Sequence, residues 1–250
     1  MTLKTQLENG VLTLVLDRPE KRNALDTATI EGLHEGLTQA ELDSAVRVVA
    51  VRGAGQDFCA GADLEELLDS AERSAEENQR SALVLGRVFI RIRELPKPVV
   101  ALVQGRALAG GAGLATACDL VLARENAQFG YPEIQRGFVP AMVMAILRRQ
   151  VGERRAFDLV ATGRLLTARE ALAAGLISRV VPDAEFDAAA SSLLAQLAAT
   201  SPTALALTKR LLYELDDHGF ADGIALGAKI NAIARAHPDF KLAISAFLKR

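Results

Sequence analysis

Short apolar runs that stop at turns, separated by stretches with helical spacing, constrain this chain more than any other feature. Val11–Leu16 reads V-L-T-L-V-L before Asp17-Arg18-Pro19, and Val46–Val51 reads V-R-V-V-A-V before Gly53. Pro98–Val103 is a third such run, and Asp119–Ala123 a fourth. Apolar, β-branched runs bounded by turn residues read as strands. Between the first two, Thr27–Leu42 sets Ile30, Leu33, Leu37 and Leu42 at helical spacing with Asp26 as its N-cap, and a polar helix is predicted around Asn78–Glu94. Strand, helix, strand is thus the opening pattern, and its repetition implies an α/β architecture. After Val181 the character changes. Phe186–Ala199, Thr203–Leu215, Phe220–Ala234 and Phe240–Leu248 are all helical in pattern, punctuated by Pro182, Pro202 and Pro238. The chain therefore divides into an α/β region, residues 1–182, and a helical region, residues 183–250. The spacing of Ile224, Ala228, Ile230 and Ile233 suits close helix packing within the chain or between subunits.

Composition narrows the function classes. With 250 residues, half of them hydrophobic, the chain can bury a large core without metal or disulfide help. Lys plus Arg number 29 against 31 for Asp plus Glu, Trp is absent and Tyr occurs twice, so no nucleic-acid partner is expected. Cys59 and Cys118 lie in apolar or glycine-rich surroundings without a C-x-x-C pattern and read as small buried residues. His34, His218 and His237 are scattered and form no metal-ligand set, so no metal is expected. Met1–Gly10 contains no apolar signal segment, and no apolar run approaches about 18 residues; a cytoplasmic location away from the membrane follows as the default.

Three segments carry chemistry. Gly105–Gly113 runs G-R-A-L-A-G-G-A-G before an apolar helical stretch, Leu114–Cys118. A glycine-rich turn opening a helix presents backbone N–H groups that the helix cannot satisfy, at the positive end of its dipole. Such a turn is either an electrostatic trap for a developing oxyanion or a tight turn packed against a neighbour. Phe58-Cys59-Ala60-Gly61-Ala62-Asp63-Leu64 is a second small-residue turn after a strand, with Asp63 as N-cap of a helical stretch. Two such turns can place one N–H each on a single carbonyl oxygen. Glu133, in Phe129-Gly130-Tyr131-Pro132-Glu133-Ile134, is either a solvated turn residue or a carboxyl held among its apolar neighbours, where its pKa rises toward values that suit proton transfer. The Walker, G-x-G-x-x-G and G-x-S-x-G patterns are absent.

Taken together with Arg18-Pro19-Glu20-Lys21-Arg22-Asn23-Ala24-Leu25, Cys118-Asp119, and Thr162-Gly163-Arg164 through Ala173-Ala174-Gly175-Leu176-Ile177, these segments resemble the crotonase family. This is the enoyl-CoA hydratase/isomerase superfamily, and the resemblance runs over essentially the whole chain. It implies a spiral of β-β-α units followed by a helical part that builds trimers, often dimers of trimers. It also implies an acyl-CoA substrate, CoA being part of that substrate rather than a cofactor. By the same resemblance, the backbone N–H groups of Ala62 and Gly110 hold the thioester oxygen as an enolate forms, and Glu133 transfers protons. Lys21, Arg22 and Ala24, with Ala60, Gly61, Asp63 and Leu64, match the region that grips CoA.

One departure bears on the reaction. Relatives of the hydratase type carry two catalytic glutamates, and the first of these positions is here Gly113. The resemblance leads to reversible hydration of a 2-enoyl-CoA in fatty-acid-type metabolism. A Δ3-Δ2-enoyl-CoA isomerase using Glu133 alone is the alternative, and an acyl-CoA- or RNA-binding non-enzyme is an alternative of another class.

Overall fold

The computed structural model describes residues 2–248; residues 1, 249 and 250, at the outer ends of the 1–182 and 183–250 regions, lie outside it. In chain order the elements are β1 (Leu3–Glu8), β2 (Val11–Leu16), α1 (Thr27–Leu42), β3 (Val48–Gly53), α2 (Leu64–Asp69), α3 (Ala75–Glu94), β4 (Val99–Val103), β5 (Arg106–Leu108), α4 (Gly110–Ala117), β6 (Leu120–Arg124) and β7 (Gln128–Gly130). There follow α5 (Ala141–Val151), α6 (Glu153–Thr162), β8 (Leu165–Thr167), α7 (Ala168–Ala173) and β9 (Arg179–Val181). Four helices close the described chain: α8 (Phe186–Ala199), α9 (Pro202–Glu214), α10 (Phe220–Ala236) and α11 (Pro238–Phe247).

Six strands form one sheet in the order β1-β2-β3-β4-β6-β9, and three short strands form a second, β5-β7-β8. From β2 onward the larger sheet is parallel. A strand of the large sheet is followed by a short stretch of extended chain and then by a helix. After β4 that stretch is β5, after β6 it is β7, and after β3 it is the bridge of Cys59 to Ala107. This is the expected β-β-α spiral, seen as two sheets climbing side by side.

The central strands are apolar throughout because both faces are covered. Val49, Val51, Val99, Ala101, Val103 and Val121 join the main core with Leu33, Leu37, Phe89, Ile92, Leu114 and Leu147. On the other face Val48, Ala50, Val100, Leu102 and Leu122 pack against Phe186, Ala190, Leu193 and Leu194 of α8. Cys59 and Cys118 are both buried free thiols.

The chain does not open on strand, helix, strand. Leu3–Glu8 pairs antiparallel with β2, so the fold starts with a hairpin. Its turn is Asn9-Gly10, both at positive φ (50° and 80°), the conformation that a two-residue hairpin turn with the right twist requires. A second difference lies inside Gly105–Gly113, which is not one long turn. Arg106–Leu108 is extended and pairs with β7, and the helix then begins at Gly110 rather than Leu114 and ends before Cys118.

Candidate active site

The two small-residue turns meet. The second turn is laced to the loop after β2, since Leu25 N–H donates to Gly61 O (2.8 Å), Asp63 N–H to Leu25 O (3.0 Å) and Ala60 N–H to Arg22 O (3.0 Å). It is also laced to β5, where Cys59 N–H donates to Arg106 O (3.0 Å) and Leu108 N–H to Cys59 O (2.9 Å). The bonds through Leu25 use the peptide groups on either side of Ala62 and leave its own N–H pointing elsewhere. On the other turn, Ala109 N–H donates to Gly130 O (2.8 Å), which puts Gly110 at the start of α4 beside the strand that leads to Glu133.

Among the described residues, neither Ala62 N–H nor Gly110 N–H has an acceptor. They are neighbours: a β-carbon on Gly61 would lie 3.4 Å from Gly110 N, and one on Gly110 would lie 4.0 Å from Ala62 N. Gly61 is also required here by conformation and by space. Its φ is +99°, and a β-carbon on it would come within 2.8 Å of Ala109 Cβ. Ala109 itself is held at φ 51°, ψ −125°, backbone that L residues disfavour. Strain of this kind, on the order of 1–3 kcal/mol, persists only where the surroundings over-determine it. The result is a pair of unsatisfied neighbouring N–H groups, which can stabilise charge developing on a carbonyl oxygen.

Glu133 lies in a short 3-10 turn, Pro132–Arg136, closed by Gly137 at φ 68°. The side chain is buried, and its Oε2 has no hydrogen-bond partner among the described residues. Burial raises its pKa above the ordinary glutamate value, against a smaller opposing pull from its own backbone and Arg136. A carboxyl group with a free oxygen and a raised pKa is poised to take up and return a proton.

Gly113 faces no open space. A β-carbon there would lie 2.3 Å from Val143 Cγ1 and 3.1 Å from Phe89 Cζ. The position where a second glutamate stands in the hydratase-type pattern is thus filled by apolar side chains from α3 and α5.

The other residues singled out from the sequence surround the Ala62 turn. Asp63 caps α2, its Oδ1 accepting from Glu65 N–H (3.0 Å). Its carboxyl is held below the usual range, burial opposing and the Arg18 guanidinium and Glu65 N–H outweighing it. Ala24 is buried, whereas Leu64 and Arg22 are exposed. Lys21 reaches Glu65 Oε1 (2.8 Å), an exposed pair. The sequence does not mark Arg18 as a site residue. Its charge reads as surface in the sequence, yet its side chain is largely buried between Asp26 and Asp63, and only these distant partners could have revealed it.

The chain is similar to known proteins over nearly its whole length. A family model described as enoyl-CoA hydratase/isomerase matches residues 6–250. A Thermus thermophilus protein whose name places it among the enoyl-CoA hydratases is 46% identical over 98% of this chain and 97% of its own length. The 2,3-dehydroadipyl-CoA hydratase of Escherichia coli is 36% identical, covering 97% of this chain and 94% of that protein. Among solved structures, an enoyl-CoA hydratase of Mycobacterium smegmatis superposes with a TM-score of 0.95 at 32% identity, covering 100% of this chain and 96% of that one. The chain belongs to the enoyl-CoA hydratase/isomerase family.

Proposed function

We propose that this chain catalyses the reversible hydration of a 2-enoyl-CoA, with Glu133 serving as both base and acid. The observation that carries the reading is the unpartnered, buried Oε2 of Glu133 on the segment that leaves β7 beside the Ala62 and Gly110 donors. The thioester oxygen accepts from both N–H groups. Glu133 takes a proton from water as the water oxygen bonds to C3, and the C2=C3 electron pair moves to the carbonyl as an enolate. Glu133 then returns its proton to C2. One carboxylate suffices because the proton it receives is the one it delivers. The family relatives named as 2,3-dehydroadipyl-CoA and short-chain-enoyl-CoA hydratases support hydration as the main reaction.

Gly113 favours a second reading. With no side chain there, Glu133 alone can take a proton from C2 of a 3-enoyl-CoA and return it to C4, which is double-bond isomerisation. Offering the purified protein 2-enoyl- and 3-enoyl-CoA esters of several lengths separates the two. Formation of a 3-hydroxyacyl-CoA from the 2-enoyl ester is expected, and interconversion of the two enoyl esters without hydration would overturn the first reading in favour of the second.

The same reading assigns no resident cofactor, a cytoplasmic location and a homotrimer or dimer of trimers. Self-association is supported by the apolar side chains that α9–α11 leave exposed, including Leu212, Phe220, Ile224, Leu242 and Phe247. Light scattering on the purified chain tests it, a monomer being the contrary result. A cytoplasmic location suits two unpaired buried thiols, and among the described residues no helix is long and apolar enough to cross a membrane.

A further inference from the structure

We infer that Arg18 is a positioning residue for the oxyanion hole, acting through Asp63 and Leu25 on the direction of the Ala62 N–H. The inference rests on the reading of Ala62 and Gly110 as donors to a thioester oxygen. Arg18 lies in the loop after β2, with α1 and β3 between it and the turn it serves. Its guanidinium donates to Asp63 Oδ2 (2.9 Å) and to Ala24 O (2.9 Å), and it pairs with Asp26 Oδ2 at 3.1 Å. Both carboxylates are N-caps. Asp26 caps α1 by accepting from Thr29 N–H, and Asp63 caps α2 by accepting from Glu65 N–H. One largely buried cation therefore joins the start of two helices and the carbonyl just before Leu25. Leu25 is the residue whose N–H and C=O bind the chain on both sides of Ala62.

The anchor is itself fixed. Asn23, buried at φ 56°, accepts from Arg18 N–H through Oδ1 (2.9 Å), and its amide donates to Ala54 O and Asp57 O (both 2.8 Å) at the exit of β3. The loop bearing Arg18 is thus pinned to the large sheet, and Arg18 transmits that position to the Ala62 turn. Charge-assisted bonds of this kind are short and directional, and a bridging guanidinium cannot be reproduced by an ammonium group, which is a point charge. A donor that is tilted rather than removed should lose about tenfold or more in kcat, short of the roughly 10²–10³ lost when an oxyanion-hole donor is deleted.

The test compares Asp63→Asn, Asp26→Asn and Arg18→Lys in the full chain, read by the carbonyl stretching frequency of a bound, isotope-labelled acyl-CoA and by kcat and KM. Each asparagine variant removes one charge from Arg18 and keeps a capping oxygen, so the two should lose similar stability. Asp63→Asn and Arg18→Lys are expected to weaken carbonyl polarisation of the bound acyl-CoA and lower kcat. Asp26→Asn, which leaves the link to Asp63 intact, should retain the parent's frequency. Equal frequencies in Asp63→Asn and the parent, or a parallel loss in Asp26→Asn, would overturn the positioning role. Failure of the parent protein to shift the carbonyl frequency on binding would instead overturn the oxyanion-hole reading beneath it.

Discussion

Replacing Gly113 by alanine adds a single methyl group, and the structure says where it must go: 2.3 Å from Val143 Cγ1 and 3.1 Å from Phe89 Cζ. Val143 is buried, and a β-branched side chain on a helix has essentially one χ1 rotamer, so it cannot swing aside. Overpacking of this sort costs about 1–3 kcal/mol. Alanine in place of glycine inside a helix returns about 1 kcal/mol, so Gly113→Ala alone should be destabilised by about 0–2 kcal/mol. Val143→Ala removes two methyl groups and loses about 1.6 kcal/mol of transfer free energy plus a cavity term. In the double variant the new methyl enters the space that Val143 vacated, the clash disappears and the helix gain remains. A favourable coupling of about 1–3 kcal/mol is expected, measured by urea unfolding of the four proteins at one concentration. Additivity within about 0.5 kcal/mol would refute the packing described around Gly113. In the Val143→Ala background, Gly113→Glu becomes sterically admissible and should raise hydration relative to isomerisation. A folded variant with an unchanged ratio would mean that the position does not face substrate.

Glu133→Gln should abolish turnover while leaving acyl-CoA binding largely intact, because the oxygen donors are backbone groups; unchanged turnover would remove Glu133 from the mechanism. Burial raises the folded pKa of Glu133, so the native state binds its proton more tightly than the unfolded chain and stability declines as pH rises from the ordinary glutamate value through the folded one. At neutral pH Glu133→Gln should therefore unfold at higher denaturant than the parent, the difference vanishing on acidification below that window, and the acid limb of the parent's kcat/KM should lie above the ordinary glutamate range. Gly61→Ala should cut kcat by about 10²-fold or more, since its β-carbon meets Ala109 Cβ and must displace one of the two donor turns; near-normal kcat would show that the turns are not coupled. Lys209→Met leaves the largely buried Asp119 without the ammonium that lies 2.7 Å from it, at an expected cost of about 3 kcal/mol in a thermal or denaturant melt, and adding Asp119→Asn should recover part of it.

Much of the fold is legible because its signals are local. Thr27–Leu42 and Phe186–Ala199 form helices over the residues their periodicity marks, and Asp26 caps the first by accepting from Thr29 N–H. The strand β1 is not legible in the sequence because it lies at the sheet edge, where only Leu3 is buried and no alternation shows; Asn9-Gly10 is its one local sign of a hairpin. The strand β5 is three residues long and exists because Gln128–Gly130 lies beside it, a pairing no short window contains. At the site, the glycine turns and Glu133 stood out by residue type. The largely buried Arg18 and the buried Asn23 did not, since their surroundings depend on Asp63 and Asp57, far along the chain. Nor could the sequence tell that Phe89 and Val143, on two different helices, fill the space beside Gly113.

The role of Glu133 is tested most directly by incubating the parent and Glu133→Gln with a 2-enoyl-CoA in deuterated water enriched in heavy oxygen, and resolving the product by mass spectrometry and NMR. A single carboxylate that both activates water and protonates the enolate predicts a 3-hydroxyacyl-CoA carrying heavy oxygen at C3 and one deuterium at C2, both added to the same face, and no product from Glu133→Gln. Addition to opposite faces, or a hydrated product that survives loss of the Glu133 carboxylate, would contradict it.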